Sequence, residues 1–394
     1  MGRLRLRTAG ESHGPAVCAI LDGMPHGVRV DKQAIDADLR RRQQGYGRSG
    51  RMQIEHDEVE VLAGLRDGRT LGTPLALVVR NRDHSAWSAS MDPFHAPEAR
   101  PLTRPRPGHA DLAGALKLGL HDARDVLERS SARSTVARVA AGAVARALLR
   151  ACGVEVMSHV VRIGPVTAPS ALGLRPEEIA ALRIRAEEDA ECGSGMRCAD
   201  PRAAAAMRAA VMEAQQQGDS IGGVVEVVAW GLPPGLGRHD EWDGRLDGRL
   251  AQAAMSVQAI KAVEIGLGLE SASRPGSAVH DPILYQQGRF LRPSNNAGGI
   301  EGGLSNGEPI IIRAAMKPIP TLARPLASVD LVTKEPFPAQ KERTDSCAVP
   351  AAAVVVEAAA AWVLCDALLD KTGGDTLNEV LAALARYWDG LRRF

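Results

Sequence analysis

With 394 residues the chain is long enough to bury a large core, as one large unit or two ordinary ones. Its net charge of +1 argues against a general polyanion binder, and 45% hydrophobic with 24% charged residues is an ordinary globular composition. Aromatics supply only 3%, so the core must be built from Ala, Val, Leu and Ile, while six cysteines without a CxxC pair support neither a disulfide framework nor a zinc site.

Residues 3–9 alternate with period two, and AVCAILDG follows as a second strand-like run. Between them TAGESHGPAV, residues 8–17, holds Ser12 and His13 between Gly10 and Gly14. Arg3, Arg5 and Arg7 interrupt any apolar run at the start, so no signal peptide is expected and a cytoplasmic location follows. Asp31 caps a helix, DKQAIDADLRRR, that ends in three arginines and the glycine-rich turn QQGYGRSGR. MQIEHDEVEVLAG alternates like a strand with one exposed face, and TPLALVVRN reads as a buried strand. Residues 82–107 are rich in proline and poor in aliphatics, which predicts a long loop of the kind that serves as a lid or binding loop.

From His109 the chain turns helical, with SARSTVARVAAGAVARALLRAC (131–152) a strong alanine-rich helix capped by Ser131. VEVMSHVVRIG predicts a strand, and a second capped helix opens at Asp200-Pro201 and closes at Gly218. SIGGVVEVVAWGLP predicts a strand, RLDGRLAQAAMSVQAIKAVEIGLG a helix, and PIIIRAAMKPIPT a strand after the glycine-rich NNAGGIEGGLSNGEP. The tail is helical from Val349. Its apolar run VPAAAVVVEAAAAWVLC carries Glu357 at its centre, falls short of a membrane span and reads as a buried core helix. Strands and helices come in runs, and no low-complexity linker divides them, so one α+β unit of mostly antiparallel strands with a helical layer is expected.

Arginine is concentrated in two places. Arg40, Arg41, Arg42, Arg48 and Arg51 crowd the turn with Gly45, Gly47 and Gly50, and Arg100, Arg104 and Arg106 lie among prolines just before PGHAD. A charged run is ordinarily a solvated face. Here the planar forks sit beside glycines that admit a ligand to the backbone, which favours a compact site for a small, multiply charged anion over a nucleic-acid groove. His26, His56, His159, His239 and His280 show no partner pattern and read as structural or surface residues. His13 and His109 are each wedged in a glycine-bearing turn, where an imidazole can act as a general acid, although a lone histidine in a turn is more often not catalytic. No GxGxxG or GxxxxGK[ST] occurs between a strand and a helix, so Rossmann and P-loop nucleotide sites are unsupported. Lys317 followed by two prolines offers a cation on a rigid backbone to a flat ligand. Spacing alone favours an ion pair between Arg343 and Asp345.

GESHGPAVCAILDGMP, ERSSARSTVARVAAG (128–142) and RTDSCAVP resemble the three signature regions of the chorismate synthase family. RRRQQGYGRSGRM, TRPRPGHADLAG, QAIK, NNAGGIEGGLSNGEP and MKPIPT are also similar to that family, in its order, from residue 3 to about 372. The resemblance implies two antiparallel sheets enclosing a helical core, in a single domain over residues 1–394 that assembles as a homotetramer. It implies an anti-1,4-elimination of phosphate from 5-enolpyruvylshikimate 3-phosphate to give chorismate, with reduced FMN and no net redox change. NADPH enters only as an indirect reductant, an external flavin reductase is a possible partner, and no metal, nucleic acid or membrane is implied.

Residue by residue, the resemblance implies that Arg42, Arg48, Arg51 and Arg106, with Arg133 and Arg343, bind the substrate's two carboxylates and phosphate. His109 matches the histidine near the leaving phosphate, His13 the one at the flavin's pyrimidine edge, and Asp345 the acid that assists proton removal by way of flavin N5. Positions matching the FMN site are Arg129, Ser130, Ser131, Gln258, Ala259, Gly302, Lys317, Pro318, Ile319, Pro320, Thr321 and Arg343; Ser12 is left to shape its turn. The chain departs from the family at Thr344, usually serine, which keeps the hydroxyl, and at Gln43-Gln44, which replace a glycine-bearing variant and stiffen the turn. Two rivals remain: an NAD(P)H-dependent flavin reductase, an activity some family members add, and an RNA-binding module, which the 3% aromatics oppose.

Overall fold

The computed structural model describes residues 2–48, 56–95, 101–286, 288–340 and 345–394. Its first sheet has four strands in the order β1-β2-β4-β3: β1 Arg5–Ala9, β2 Ala16–Asp22, β3 Val59–Ala63 and β4 Leu75–Arg80. The second has five in the order β8-β9-β7-β5-β6: β5 Glu155–Ile163, β6 Val166–Thr167, β7 Gly223–Trp230, β8 Ile260–Ile265 and β9 Ile310–Met316. Every pairing in both sheets is antiparallel, as expected from runs of strands joined without crossover helices.

Three helices fill the space between the sheets: α1 Lys32–Gln43, α4 Thr135–Ala151 and α8 Val349–Thr372. Between α1 and α4 the chain forms α2 Asp111–Leu118 and α3 Arg124–Ser130. Val17, Ala19 and Leu21 of β2 with Leu75, Leu77 and Val79 of β4 form one wall of the core; Val156, Val160, Val225, Val227, Ile310 and Ile312 form the other. The opposite face of the second sheet is also covered: Met157, Val228 and Ile311 pack on Ile179 and Leu182 of α5 Pro176–Cys192. No expectation attaches to α5 in the sequence; α6 Pro201–Gln216 starts on its Asp200 cap as expected. The central helices come close because their contact residues are small. A Cβ placed on Gly142 would stand 2.5 Å from that of Ala358.

Four expectations change. Residues 245–268 are not one helix: α7 Leu246–Met255 stops, Ala259 turns left-handed at φ 67°, and β8 follows. Main-chain pairing of Val263 with Ala314 and of Ile265 with Ile312 supplies what the helical pattern of QAIKAVEIG cannot. Ser131 caps the 3-10 turn 132–134, and the long helix itself begins at Thr135. Residues 82–107 are not free loop throughout. A 3-10 turn spans Arg82–Ala86, and farther on Thr103 accepts from Leu331, Gln340 donates to the Arg104 carbonyl, and Arg104 lies 3.8 Å over the Phe337 ring. Finally, α8 with its 24 residues is long and apolar enough to cross a membrane, yet 94% of its most apolar stretch is buried inside the protein.

Glu357 is the charged exception in that helix. Its carboxylate takes both arms of Arg41 (2.9 and 2.9 Å), one of Arg146 (2.6 Å) and the Ser158 hydroxyl (2.6 Å), while Asp38 bridges the same two arginines. One carboxylate thus ties α1, α4 and β5 to α8. Burial opposes its ionisation, but the Arg41 and Arg146 charges win and pull it down to about 2 from the ordinary 4.5. Removing one member of a buried charge cluster costs about 3–5 kcal/mol, because its partners stay buried without a counter-charge. Glu357→Gln should therefore lower the unfolding free energy by an amount of that order, read as a lowered urea midpoint at unchanged m. A depressed carboxyl stabilises fully above its unfolded value and loses that contribution as pH falls from about 4.5 toward about 2, so the substitution should also flatten this stretch of the acid-unfolding curve.

Candidate active site

The β1–β2 connection carries His13. Gly10 sits at φ 106° with a would-be Cβ 2.3 Å from the Ala16 carbonyl, so no side chain fits there. Asn81, at the end of β4, donates to the carbonyls of Glu11 (3.1 Å) and Gly14 (2.6 Å), and Arg129 donates to those of Thr8 and Gly10. Glu128 of α3 holds the rest. Its main-chain carbonyl accepts from Ser12 N–H at 3.0 Å, and its carboxylate meets His13 N–H and His13 Nδ1, each at 2.8 Å. Burial opposes ionisation of Glu128, but the His13 hydrogen bonds and charge outweigh it and hold the carboxyl below its ordinary range. Trp87 covers His13 with ring centroids 4.2 Å apart.

Three of the expected arginines gather beside this turn. Arg133, from the 3-10 turn before α4, donates to Asn81 Oδ1 (2.7 Å), Asp57 Oδ1 (2.5 Å) and the Arg80 carbonyl (3.1 Å). Asp57 also faces Arg42 at 4.0 Å, and Arg48 pairs with Asp345 at 2.8 Å. Burial pushes the Arg42 guanidinium down to about 10; Asp57 opposes the shift, and the Arg133 and Arg48 charges add to it. Cations that repel one another in a buried place are stabilised by an incoming anion. Gly47 (φ 86°) gives the turn its shape, its carbonyl accepting from Ser346 N–H at 2.8 Å, which brings Asp345 to Arg48. Arg51 and Arg343 lie outside the described residues, so the expected Arg343–Asp345 pair does too.

His109 and Arg106 assemble separately around Asp111, at the start of α2. Arg106 grips both Asp111 oxygens (2.8 and 3.1 Å) and reaches Thr321 Oγ1 at 3.1 Å. His109 Nδ1 stands 2.5 Å from Asp111 Oδ1, a contact that requires a proton between them, so Nδ1 carries it. Burial disfavours the Asp111 anion, but the hydrogen bonds from His109 and Arg106 prevail and hold the carboxyl well below the usual range. The loop bearing these residues is anchored by Leu102, packed with Ala115, Ala123, Leu127 and Leu331.

Most positions expected to hold the flavin link these two groups at the start of α4. Ser131 Oγ accepts from Arg133 N–H and donates to Ser12 Oγ at 3.1 Å. Gln258 donates to Ser134 at 2.9 Å, Lys317 N–H to the Ala259 carbonyl at 2.9 Å, and Ser220 to the Ile319 carbonyl at 2.7 Å. Lys317 and Pro320 border Gly108, and Thr321 meets Arg106. Two positions look elsewhere: Ser130 Oγ turns back to the Val126 carbonyl, and Gly302, at a hairpin tip with φ 58°, has no neighbour within 4 Å of a would-be Cβ among the described residues. The remaining set suits a phosphate-bearing flavin. Among the described residues Gln258 Oε1 is buried without a hydrogen-bond partner, and burial followed by the Lys261 charge pushes the Lys317 ammonium down.

The profile of the family described as chorismate synthase matches residues 4–369. The chain belongs to the chorismate synthase family. It is 56% identical to the chorismate synthase of Moorella thermoacetica over 389 residues, covering 98% of each chain. It is 52% identical to that of Trichlorobacter lovleyi, covering 99% of this chain and 100% of the relative. A crystal structure of chorismate synthase superposes with a TM-score of 0.81 at 41% identity and 99% coverage of both chains. Chorismate synthases are lyases of aromatic amino acid biosynthesis that form chorismate by eliminating phosphate from 5-enolpyruvylshikimate 3-phosphate, and this chain is an enzyme of that type.

In this chorismate synthase fold the acids that hold the site's cations were not singled out from the sequence. Glu128 and Asp111 stand inside motifs already conspicuous, ERSSARS and PGHAD, so their proximity to arginine and histidine was a usable signal. Asp57 and Asn81 carry none, because their partners lie far along the chain. Asp57→Asn leaves Arg133 and Arg42 buried without their anion, and should cost about 3–5 kcal/mol, read as a lowered denaturant midpoint.

Proposed function

We propose that the two side-chain groups are one active site, in a single domain over residues 1–394, which binds 5-enolpyruvylshikimate 3-phosphate beside reduced FMN. The observation that carries this reading is the set Arg42, Arg48 and Arg133, in which burial and the neighbouring Arg133 and Arg48 charges push the Arg42 guanidinium down, linked from Ser134 through Gln258, Ala259 and the run Lys317 to Thr321 to the Arg106–His109–Asp111 group. Substrate carboxylates suit the first, and leaving phosphate the second. Arg51 and Arg343 complete the binding set by family resemblance. Arg106 supplies fixed positive charge at the phosphate. His109, whose Nδ1 proton is committed to Asp111, delivers a proton to the leaving group from Nε2. Asp345, drawn to Arg48, receives the proton lost from the substrate carbon.

Arg129, Ser130, Ser131, Gln258, Ala259, Gly302, the run Lys317 to Thr321 and Arg343 would hold the flavin. Lys317 suits its phosphate, and His13 suits the pyrimidine edge, where a cationic donor stabilises anionic reduced flavin. Reduced FMN, when bound, lends electron density to the allylic system as phosphate leaves, and recovers it. The family reading adds a homotetramer in the cytoplasm, with NADPH only as an indirect reductant through an external flavin reductase.

Anaerobic incubation of the protein with reduced FMN and 5-enolpyruvylshikimate 3-phosphate should release chorismate and phosphate together; absence of either product removes the proposal. Arg48→Ala should raise the substrate KM about tenfold to a hundredfold, the worth of a charge-assisted contact, while FMN affinity changes less. His109→Ala should lower kcat by about 10²- to 10⁴-fold with a smaller change in KM. NADPH consumption by pure protein with FMN would mark an intrinsic reductase and displace the indirect route.

A further inference from the structure

We propose that Glu128 is a positioning residue that fixes the tautomer and orientation of His13. The inference rests on the reading of His13 as the imidazole beside the reduced flavin. Three hydrogen bonds converge on this one residue: Ser12 N–H to its main-chain carbonyl at 3.0 Å, His13 N–H to Oε2 at 2.8 Å, and His13 Nδ1 to Oε1 at 2.8 Å. The side chain is only 2% exposed, and among the described residues its other ion-pair partner is Arg124 at 3.5 Å.

Two of the three contacts shape the main chain and would serve any residue at position 13. The third acts on the imidazole alone. A buried carboxylate only accepts hydrogen bonds, so the nitrogen 2.8 Å from it must carry a proton. Nδ1 is therefore protonated in both states of the ring, and Nε2 is the nitrogen through which His13 can gain, lose or donate a proton. The ring's other surroundings restrain it as well. Trp87 lies against its face, Arg124 sits 5.2 Å over the Trp87 ring, and His84 Nδ1 meets the His13 carbonyl at 2.9 Å. None of these sets a tautomer. Glu128 in turn stands on α3, whose Leu127, with Ala123 just before the helix, packs in one cluster with Leu102 of the loop that carries Arg106 and His109. The two candidate histidines are thus referenced to the same short helix.

Glu128→Gln separates the two functions of the carboxylate. An amide offers one oxygen for two N–H groups. With that oxygen on His13 N–H, its NH₂ faces Nδ1, which must then accept, and the ring proton moves to Nε2. A wrong tautomer held in correct geometry is costly when the imidazole takes part in the reaction.

The test is a double-mutant cycle on the holoenzyme with wild type, Glu128→Gln, His13→Ala and the double variant. The turnover of Glu128→Gln should fall about a hundredfold, with substrate KM and the FMN dissociation constant, measured by quenching of flavin fluorescence, within about threefold of wild type. The double variant should be no slower than His13→Ala, since a residue acting through His13 has nothing further to lose once it is gone. A double variant slower than His13→Ala by the factor seen for Glu128→Gln alone would assign Glu128 a structural role and overturn the proposal. So would wild-type turnover in Glu128→Gln while His13→Ala is crippled. Wild-type turnover in His13→Ala would instead overturn the reading of His13, and the proposal with it. If Glu128→Gln does not fold, Glu128→Asp takes its place in the same cycle: its carboxylate keeps the charge but is one methylene too short for both His13 contacts.

Discussion

A single carboxylate in the middle of an apolar helix sets the frame for everything else. Glu357 lies where α8 crosses α1 and α4, and its two oxygens are shared by Arg41, Arg146 and Ser158. The two central helices α4 and α8, built largely from alanine and valine, slide easily against one another, since small side chains give shallow ridges. A buried charge cluster does not tolerate such sliding, because each displacement leaves an ion without its partner. Arg41 is adjacent in sequence to Arg42, so fixing the end of α1 in the core also fixes the arginine turn at the site. The same contact fixes α4, and Ser134, at the start of that helix and just after Arg133, accepts from Gln258 at Oγ. The functional geometry is thereby referenced to a charge buried in the middle of the core.

Charge balance in the site follows a second rule. Each candidate histidine has its Nδ1 on a buried carboxylate: His13 on Glu128 and His109 on Asp111. Both therefore present Nε2 as the working nitrogen. Their carboxylates are held ionised against burial by those histidines, with Arg106 assisting at Asp111, so each pair is stable only as a unit. Arg42 shows the reverse. It is buried with Asp57 at 4.0 Å, and burial together with the Arg133 and Arg48 charges pushes its guanidinium down although Asp57 and Asp345 oppose the shift. Arg146 meets Asp38 and Glu357 within 2.9 Å, whereas among the described residues the nearest acid of Arg42 stands at 4.0 Å, and that difference separates the two although both are buried.

The two sheets differ in what covers them. The first presents Ile20 and Leu62 outward, half exposed or more, whereas the second is buried on both faces by the central helices and by α5. This explains why β5 and β7 read as almost continuous apolar runs and why β1 and β3 alternate. It also bears on α8. A helix apolar on every side is a core helix or a membrane span, and the sequence of α8 fits both. Its surroundings, β5, β7, α1 and α4, are what identify it as core.

Much was legible in the chain because it is local. Period-two alternation, the Asp31 and Asp200 caps, the glycines around His13 and the arginine-rich turn are each specified by neighbours within a few residues, and the motifs that carry the family resemblance are contiguous. What tertiary structure alone decided is pairing at a distance. Residues 260–265 became a strand because β9 offered an edge, against a helical local pattern. Glu128 reaches His13 across 115 positions and Arg133 reaches Asn81 across 52, and nothing within a few residues of either end specifies the contact. Backbone preference is a property of short segments, so sequence records it; the partner of a buried charge is whichever opposite charge the packed core brings within hydrogen-bond distance, and only folding determines that.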